Sequence, residues 1–266
     1  VIGNDIVGLG HVYNTLLVAN DILNHKITFL VDKDSKLAYD KISLKNYPVF
    51  IQESENSLDD IKKFNPDLVI NDKLDTTLEY MQGLKKLSIK TLNFEDLGEG
   101  SKIADLVINA IYPEKQIIKN HYFGHDYFIL RAEFIYSETK DNKEKIACIL
   151  ISFGGVDPNN YTKKVIETIY EYCMQYSIKI NVITGFGYKK YDSIDNYKNI
   201  NIYKNVANIS KYMLEADLIF TSAGRTTYEV ASIGVPTIVL AQNDRELTHF
   251  FANSEFGFLN LGLGYN

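Results

Sequence analysis

The sequence has little of three things that would point to particular classes of protein. It has only two cysteines, Cys148 in an apolar strand-like run and Cys173 in a helical one, with no CxxC pair. A disulfide framework is excluded, and both read as reduced core residues. No apolar run approaches the roughly 18 to 20 residues that span a bilayer, and no basic segment followed by an apolar one opens the chain. The expectation is a cytoplasmic protein without a membrane span. There is no excess of positive charge either: 28 basic against 34 acidic side chains give a net charge of -6, which argues against nucleic acid as a partner. A small anion stays open, because backbone N–H groups and helix N-termini hold one without entering the residue count.

What is present is enough for two ordinary α/β domains: 266 residues, 45% of them hydrophobic. Short apolar runs alternate with helical-period segments, which predicts parallel βαβ units with both sheet faces covered. Strands are expected at Val1–Asn4, Ile27–Val31, Asp67–Ile70, Lys90–Asn93 and Leu106–Asn109, with a helix after Gly10 whose apolar face includes Leu16, Leu17, Ala19, Ile22 and Leu23. The alternation stops after Tyr112 and restarts at Ile146–Phe153, continuing at Ile178–Ile183, Ile200–Tyr203, Leu218–Thr221 and Pro236–Leu240. This divides the chain into a Rossmann-like domain over 1–118, an interdomain segment over 119–143 and a second Rossmann-like domain over 144–266. Open α/β sheets bind ligands at the carboxyl ends of their strands, so the active site is expected in a cleft where two parallel sheets face each other.

Three turns carry the chemistry. In the first, GLGHVYN, Gly8 and Gly10 permit a tight turn and His11 falls at the start of the helix. A neutral imidazole there can take a proton from water or an acceptor hydroxyl, an effect typically worth about 10²- to 10⁴-fold; capping or packing of the helix is the plain alternative. Gly8 and Gly10 also begin a G-x-G-x-x-G pattern with Asp32 following, but Tyr13 stands at the third glycine, which disfavours a dinucleotide site. In the second turn, SFGGVDPNN, Gly154 and Gly155 can present N–H groups, while Asp157 and Asn159 can cap the next helix or hold a ligand hydroxyl. The third, SAGRTTYEVASIGVP, places small Ser222, Ala223 and Gly224 at a helix N-terminus, with Arg225, Thr226 and Thr227 as further donors. Glu229, one turn into that helix, can accept two hydrogen bonds from ribose hydroxyls. Asp32 with Asp34, and His121 with His125, are weaker candidates for a metal: the first pair lacks a third ligand and Gly124 interrupts the second. Asn160 and Asn208 begin N-x-[ST] sequons, which mean little without secretion.

Taken in order, these motifs resemble the GT-B superfamily and, within it, the UDP-diacetamido-trideoxyaltrose hydrolases of pseudaminic acid biosynthesis and the related spore-coat polysaccharide proteins. The likeness runs nearly end to end: GLGH with His11, ADLVIN from Ala104, FGHDYFILRAEF from Phe123 to Phe134, SFGGVDPNN, and ADLIFTSAGRTTYEVASIGVP from Ala216. The resemblance implies a GT-B fold and a UDP-sugar substrate, with no cofactor and no metal. It makes His11 the base, gives Gly8, Gly10, Gly154, Gly155, Asp157, Ser222, Gly224, Arg225, Thr226, Thr227 and Glu229 to the nucleotide, and gives Asn14, Gln242, Asn243 and Arg245 to the sugar.

Two departures stand out. Asn14 replaces an arginine usual in that family, and the stretch AQNDRELTHFFAN, with Glu246 and His249, replaces an Asn-Gln pair. This variant resembles the subgroup fused to acylneuraminate cytidylyltransferases, and a start at Val1 inside a strand fits a piece of such a fusion. Hydrolase, glycosyltransferase and non-catalytic sugar-nucleotide sensor share these residues. The absence of an evident apolar patch for a lipid acceptor in the first half favours the hydrolase.

Overall fold

The computed structural model describes residues 1–141 and 143–264. Asn142, Tyr265 and Asn266, which fall within the 119–143 and 144–266 stretches, lie outside the described residues. The chain divides into two compact units, Val1–Ile129 and Leu130–Asn266.

In the first unit, helix α1 (Gly10–Asp21) is followed by β1 (Phe29–Val31), α2 (Lys36–Ser43), β2 (Val49–Ile51), α3 (Ser57–Phe64), β3 (Leu68–Asn71), α4 (Leu78–Lys86), β4 (Lys90–Phe94), β5 (Leu106–Asn109) and β6 (His121–Phe123). β1 and β2 pair in parallel, and β3, β4, β5 and β6 form a second parallel sheet in that order. The strand expected over Val1–Asn4 does not form. Its backbone nonetheless runs between the two sheets: Asp32 N donates to Val1 O at 3.2 Å and Ile2 N donates to Asp72 O at 3.2 Å. These few bonds fall short of a ladder, and an isolated Asn4–Gly8 bridge closes the loop that follows. In α1 the buried side chains are Val12, Asn14, Thr15, Leu16 and Ala19. Leu23, expected on the apolar face, is 84% exposed because the helix stops at Asp21 and the chain turns outward. On α3 and α4, Leu58, Ile61, Met81 and Leu84 pack against Ile89 and Val107, each such burial stabilising the fold by about 1.5–3 kcal/mol.

The second unit contains α5 (Ala132–Ile135), β7 (Cys148–Ser152), α6 (Tyr161–Gln175), β8 (Lys179–Thr184), β9 (Ile200–Lys204), α7 (Ser210–Glu215), β10 (Leu218–Thr221), α8 (Thr226–Ile233), β11 (Thr237–Ala241) and β12 (Phe258–Leu263). All pairings are parallel, in the order β12-β11-β10-β7-β8-β9. Counted from its first strand, this is the doubly wound order in which the winding reverses between the first and fourth strands, here β7 and β10. The two-residue period of β7 serves both faces. Ile149 and Ile151 join Tyr161, Val165 and Ile166 of α6, whereas Leu150 joins Phe134, Met213, Ile219, Val230 and Ile233 on the opposite side. Of the stretch read as interdomain, His121–Phe123 lies in the first unit's sheet, while Phe134 is in the second unit's core.

Candidate functional site

In the second unit two of the predicted turns leave neighbouring strands. β7 and β10 pair with Ser152 opposite Thr221, so the loop after Ser152 and the turn after Thr221 leave the sheet side by side at the winding reversal. Gly154 takes φ 76°, in the left-handed region, and a Cβ placed there would meet nothing within 4 Å. Gly185, unassigned by sequence, braces the loop from behind. A Cβ on Gly185 would stand 2.3 Å from Gly154 O and 2.5 Å from Gly155 Cα, and Gly187 N donates to Gly155 O at 2.9 Å. Beside it, α8 begins without a side-chain cap, and the Thr227 and Tyr228 amides donate to Gly224 O and Arg225 O, both at 3.2 Å. The Thr227 hydroxyl donates back to Gly224 O at 2.8 Å, so it shapes the turn.

Asp157 is buried and its carboxylate accepts from Tyr161 N and Thr162 N, both at 2.9 Å, capping α6. Gln242 Nε2 donates to the same carboxylate at 3.1 Å, and Asn159 Nδ2 donates to Gln242 O at 2.6 Å. The structure thus brings together Asp157, Asn159 and Gln242 as a brace between the glycine loop and the segment after β11. That segment returns to the third turn. Glu246 accepts from Gln242 N at 2.8 Å, Asn243 Oδ1 accepts from Glu246 N at 3.0 Å, and His249 Nδ1 lies 2.7 Å from Ala223 O. The Ala223 amide also bonds the Glu246 carboxyl, which burial pushes up to about 7 against the opposing pull of the two amides.

Glu229 is bound to Arg131, a residue to which the sequence assigned no chemistry. Arg131 Nε donates to Glu229 Oε1 at 2.8 Å, and its Nη1 lies 2.6 Å from Glu133 Oε1. Burial raises the Glu229 carboxyl above its usual range, while Arg131 opposes the shift. The guanidinium holds one carboxylate oxygen of Glu229 and fixes where the other points.

In the first unit His11 sits in the first turn of α1, after the Gly8 turn, and its Nδ1 hydrogen-bonds Asp72 Oδ1. Asp72 follows the last residue of β3 and is fully buried. Asn14 Nδ2 donates to Asp72 Oδ2 at 2.7 Å, which places an amide behind the carboxylate. Nδ1 facing Asp72 selects the Nδ1–H tautomer of the neutral ring, in which Nε2 is the acceptor, the arrangement a general base needs. Behind Asp72 the ends of β3, β4 and β5 carry a buried amide row. Asn71 Nδ2 donates to Asn93 Oδ1 at 2.8 Å, Asn93 Nδ2 to Asp96 Oδ2 at 2.6 Å, and Asp96 N to Asn109 Oδ1 at 2.9 Å. Satisfied buried networks of this kind rigidify what they support.

The remaining candidates have local roles. Asp32 Oδ1 accepts from Asp34 N at 3.1 Å, and His121 Nδ1 lies 3.0 Å from Lys119 O. Among the described residues no group of three His, Cys, Asp or Glu side chains forms a metal-binding cluster, and no helix is long and apolar enough to cross a membrane. In the first unit two neighbouring phenylalanines are partly exposed. Phe50 and Phe64 are 48% and 38% exposed with ring centroids 5.1 Å apart, since helix and strand meet there at the edge of the short β1–β2 sheet.

No family model matches the chain. Over 269 residues it is 33% identical to an uncharacterized protein of Methanocaldococcus jannaschii, an alignment covering 91% of this chain and 54% of that protein. The chain therefore spans about half the length of that relative. It is 26% identical over 280 residues to the spore coat polysaccharide biosynthesis protein SpsG of Bacillus subtilis, covering 97% of this chain and 80% of that one. Among solved structures it is similar to MurG of Acinetobacter baumannii, with TM-score 0.60, 17% identity and coverage of 95% and 83% of the two chains. The spinosyn rhamnosyltransferase SpnG, complexed with thymidine diphosphate, matches with TM-score 0.61, 9% identity and coverage of 95% and 82%. The fold is α/β with parallel sheets and matches the GT-B glycosyltransferases.

Proposed function

We propose that the chain binds a nucleotide-sugar, a UDP-sugar, and hydrolyses it at the anomeric carbon in the assembly of a nonulosonic acid or surface polysaccharide. The observation that carries this reading is the pairing of β7 with β10, which sets the Gly154–Gly155 loop beside the uncapped start of α8 at the winding reversal of a doubly wound sheet. Backbone N–H groups of Gly154, Gly155, Ser222 and Gly224, with Arg225, Thr226 and Thr227, hold the diphosphate. Glu229, steadied by Arg131, accepts from the ribose hydroxyls. Asp157 shapes the site through α6 and Gln242, and Gln242, Asn243 and Arg245 lie on the segment given to the sugar.

His11 Nε2 takes a proton from water as the oxygen attacks the anomeric carbon. The bond from that carbon to the diphosphate oxygen breaks, and its electron pair leaves with UDP. Asp72 stabilises the imidazolium that forms, and Asn14 acts through Asp72 instead of meeting the sugar directly. The likeness to a spore coat polysaccharide biosynthesis protein supports the choice of pathway class. A second reading, transfer of the sugar to an apolar acceptor, draws on the exposed Phe50 and Phe64 pair. The test is incubation with a panel of UDP-aminosugars and assay for free UDP. Release with water alone, lost in His11→Ala, is the expected result; release that requires an added acceptor selects the transferase, and binding without release in any mixture removes both enzymes.

A further inference from the structure

Glu246 stands where an anion would be expected. Its carboxyl accepts from Gln242 N at 2.8 Å and from the Ala223 amide, and its Oε1 lies 3.6 Å from the Cβ position of Gly224. Ala223 lies between Ser222 and Gly224 in the turn assigned above to the diphosphate, so a side-chain carboxyl already occupies an amide of that turn, next to the donors proposed for the phosphate. The loop carrying it is fastened on several sides. Asn243 caps the Glu246 amide, His249 meets Ala223 O, and Gln242 reaches Asp157.

An ionised carboxylate cannot share this turn with a diphosphate without direct repulsion of like charges. A protonated carboxyl can, because it turns from acceptor to donor and its O–H faces a phosphate oxygen. We propose that Glu246 is an internal stand-in for the diphosphate, and that a nucleotide-sugar binds by placing a proton on Glu246, which then donates to the diphosphate. This rests on the nucleotide reading given above.

The surroundings agree with it. The charged and titratable groups on the elements around Glu246 are Arg225 at the start of α8, His249, Asp244 and Arg245 on its own loop, and Asp157 beyond the Gln242 side chain. None of them sets its proton affinity; burial raises it to about 7, with the two amides opposing. The carboxyl therefore changes charge near neutrality.

The test is calorimetric titration with UDP-N-acetylglucosamine, whose doubly substituted diphosphate does not itself titrate near neutrality. Wild type is expected to bind about tenfold more weakly at pH 8 than at pH 6, and to take up about half a proton per ligand at pH 7, read from the dependence of the heat on buffer ionisation. In Glu246→Gln the affinity should be flat over that range, close to the wild-type value at pH 6, with no uptake. Wild-type binding that is flat with pH and proton-neutral overturns the coupling while leaving the nucleotide reading intact, and so does uptake that persists unchanged in Glu246→Gln. Failure of both proteins to bind at every pH overturns the nucleotide reading and the coupling with it. The wild-type uptake stands as a separate measurement should the variant fold poorly.

Discussion

The two units solve the same topological problem with different materials. The second is one parallel sheet whose two glycine-rich turns leave neighbouring strands at their carboxyl ends, whereas the first carries two parallel sheets and its His11 turn follows a segment that forms no strand. In the second unit the surface proposed to hold the nucleotide is backbone: two glycines, a bracing Gly185 and a helix start without a side-chain cap, positioned by Asp157 and Gln242. In the first the proposed base is one side chain, His11, held by a buried carboxylate that an amide supports. Backbone donors suit an anion that must be held through the reaction, whereas a titratable side chain suits a proton that must move. The comparison teaches that strand order brings the second unit's turns together, while buried side-chain partners orient the first unit's histidine.

If that division holds, substitutions in the first unit should change turnover and those in the second should change binding. The largest effect is expected for His11→Ala, which should lower UDP-sugar turnover by about 10²- to 10⁴-fold with UDP affinity unchanged in calorimetry. A parallel loss of affinity would break the comparison. Asp72→Asn, which keeps the shape but permits the wrong imidazole tautomer, should cost about 10²-fold in kcat and little in KM. Glu229→Ala should weaken UDP binding by roughly tenfold or more, since it removes a charged acceptor for ribose and leaves Arg131 without that partner. Gly185→Ala should lower stability by about 1–3 kcal/mol in urea titration and weaken UDP binding as well, because its methyl would strike the Gly154–Gly155 backbone. The remaining effect concerns pH. The Glu246 carboxyl holds its proton more tightly folded, about 7, than at its usual 4.5, so stability should fall as pH rises through that window. Glu246→Gln should flatten the dependence in thermal melts.

The positions of most strands and of the three turns were legible in the sequence because buried parallel strands read as apolar runs and their ends as glycine-rich breaks. β2, β6 and β12 were not. Val49–Ile51 is three residues long after a proline, His121–Phe123 is aromatic and polar, and Phe258–Leu263 contains Asn260 and Gly262, so none has a strand's usual pattern. The turn residues His11, Gly154, Gly155 and Ser222–Gly224 declared themselves locally. Their partners did not, since Asp72, Arg131, Gly185 and Glu246 act across sequence separations that no short motif spans. One signal was available: Asn71, Asn93 and Asn109 each fall near the end of an apolar strand, and polar residues repeated at strand ends mark a buried network.

The most direct measurement is calorimetric titration of the chain with UDP, with CMP and NAD as comparison ligands. Saturable UDP binding, weakened in Glu229→Ala and preserved in His11→Ala, is the result this account predicts. No UDP binding, or preferential binding of CMP or NAD, would contradict it.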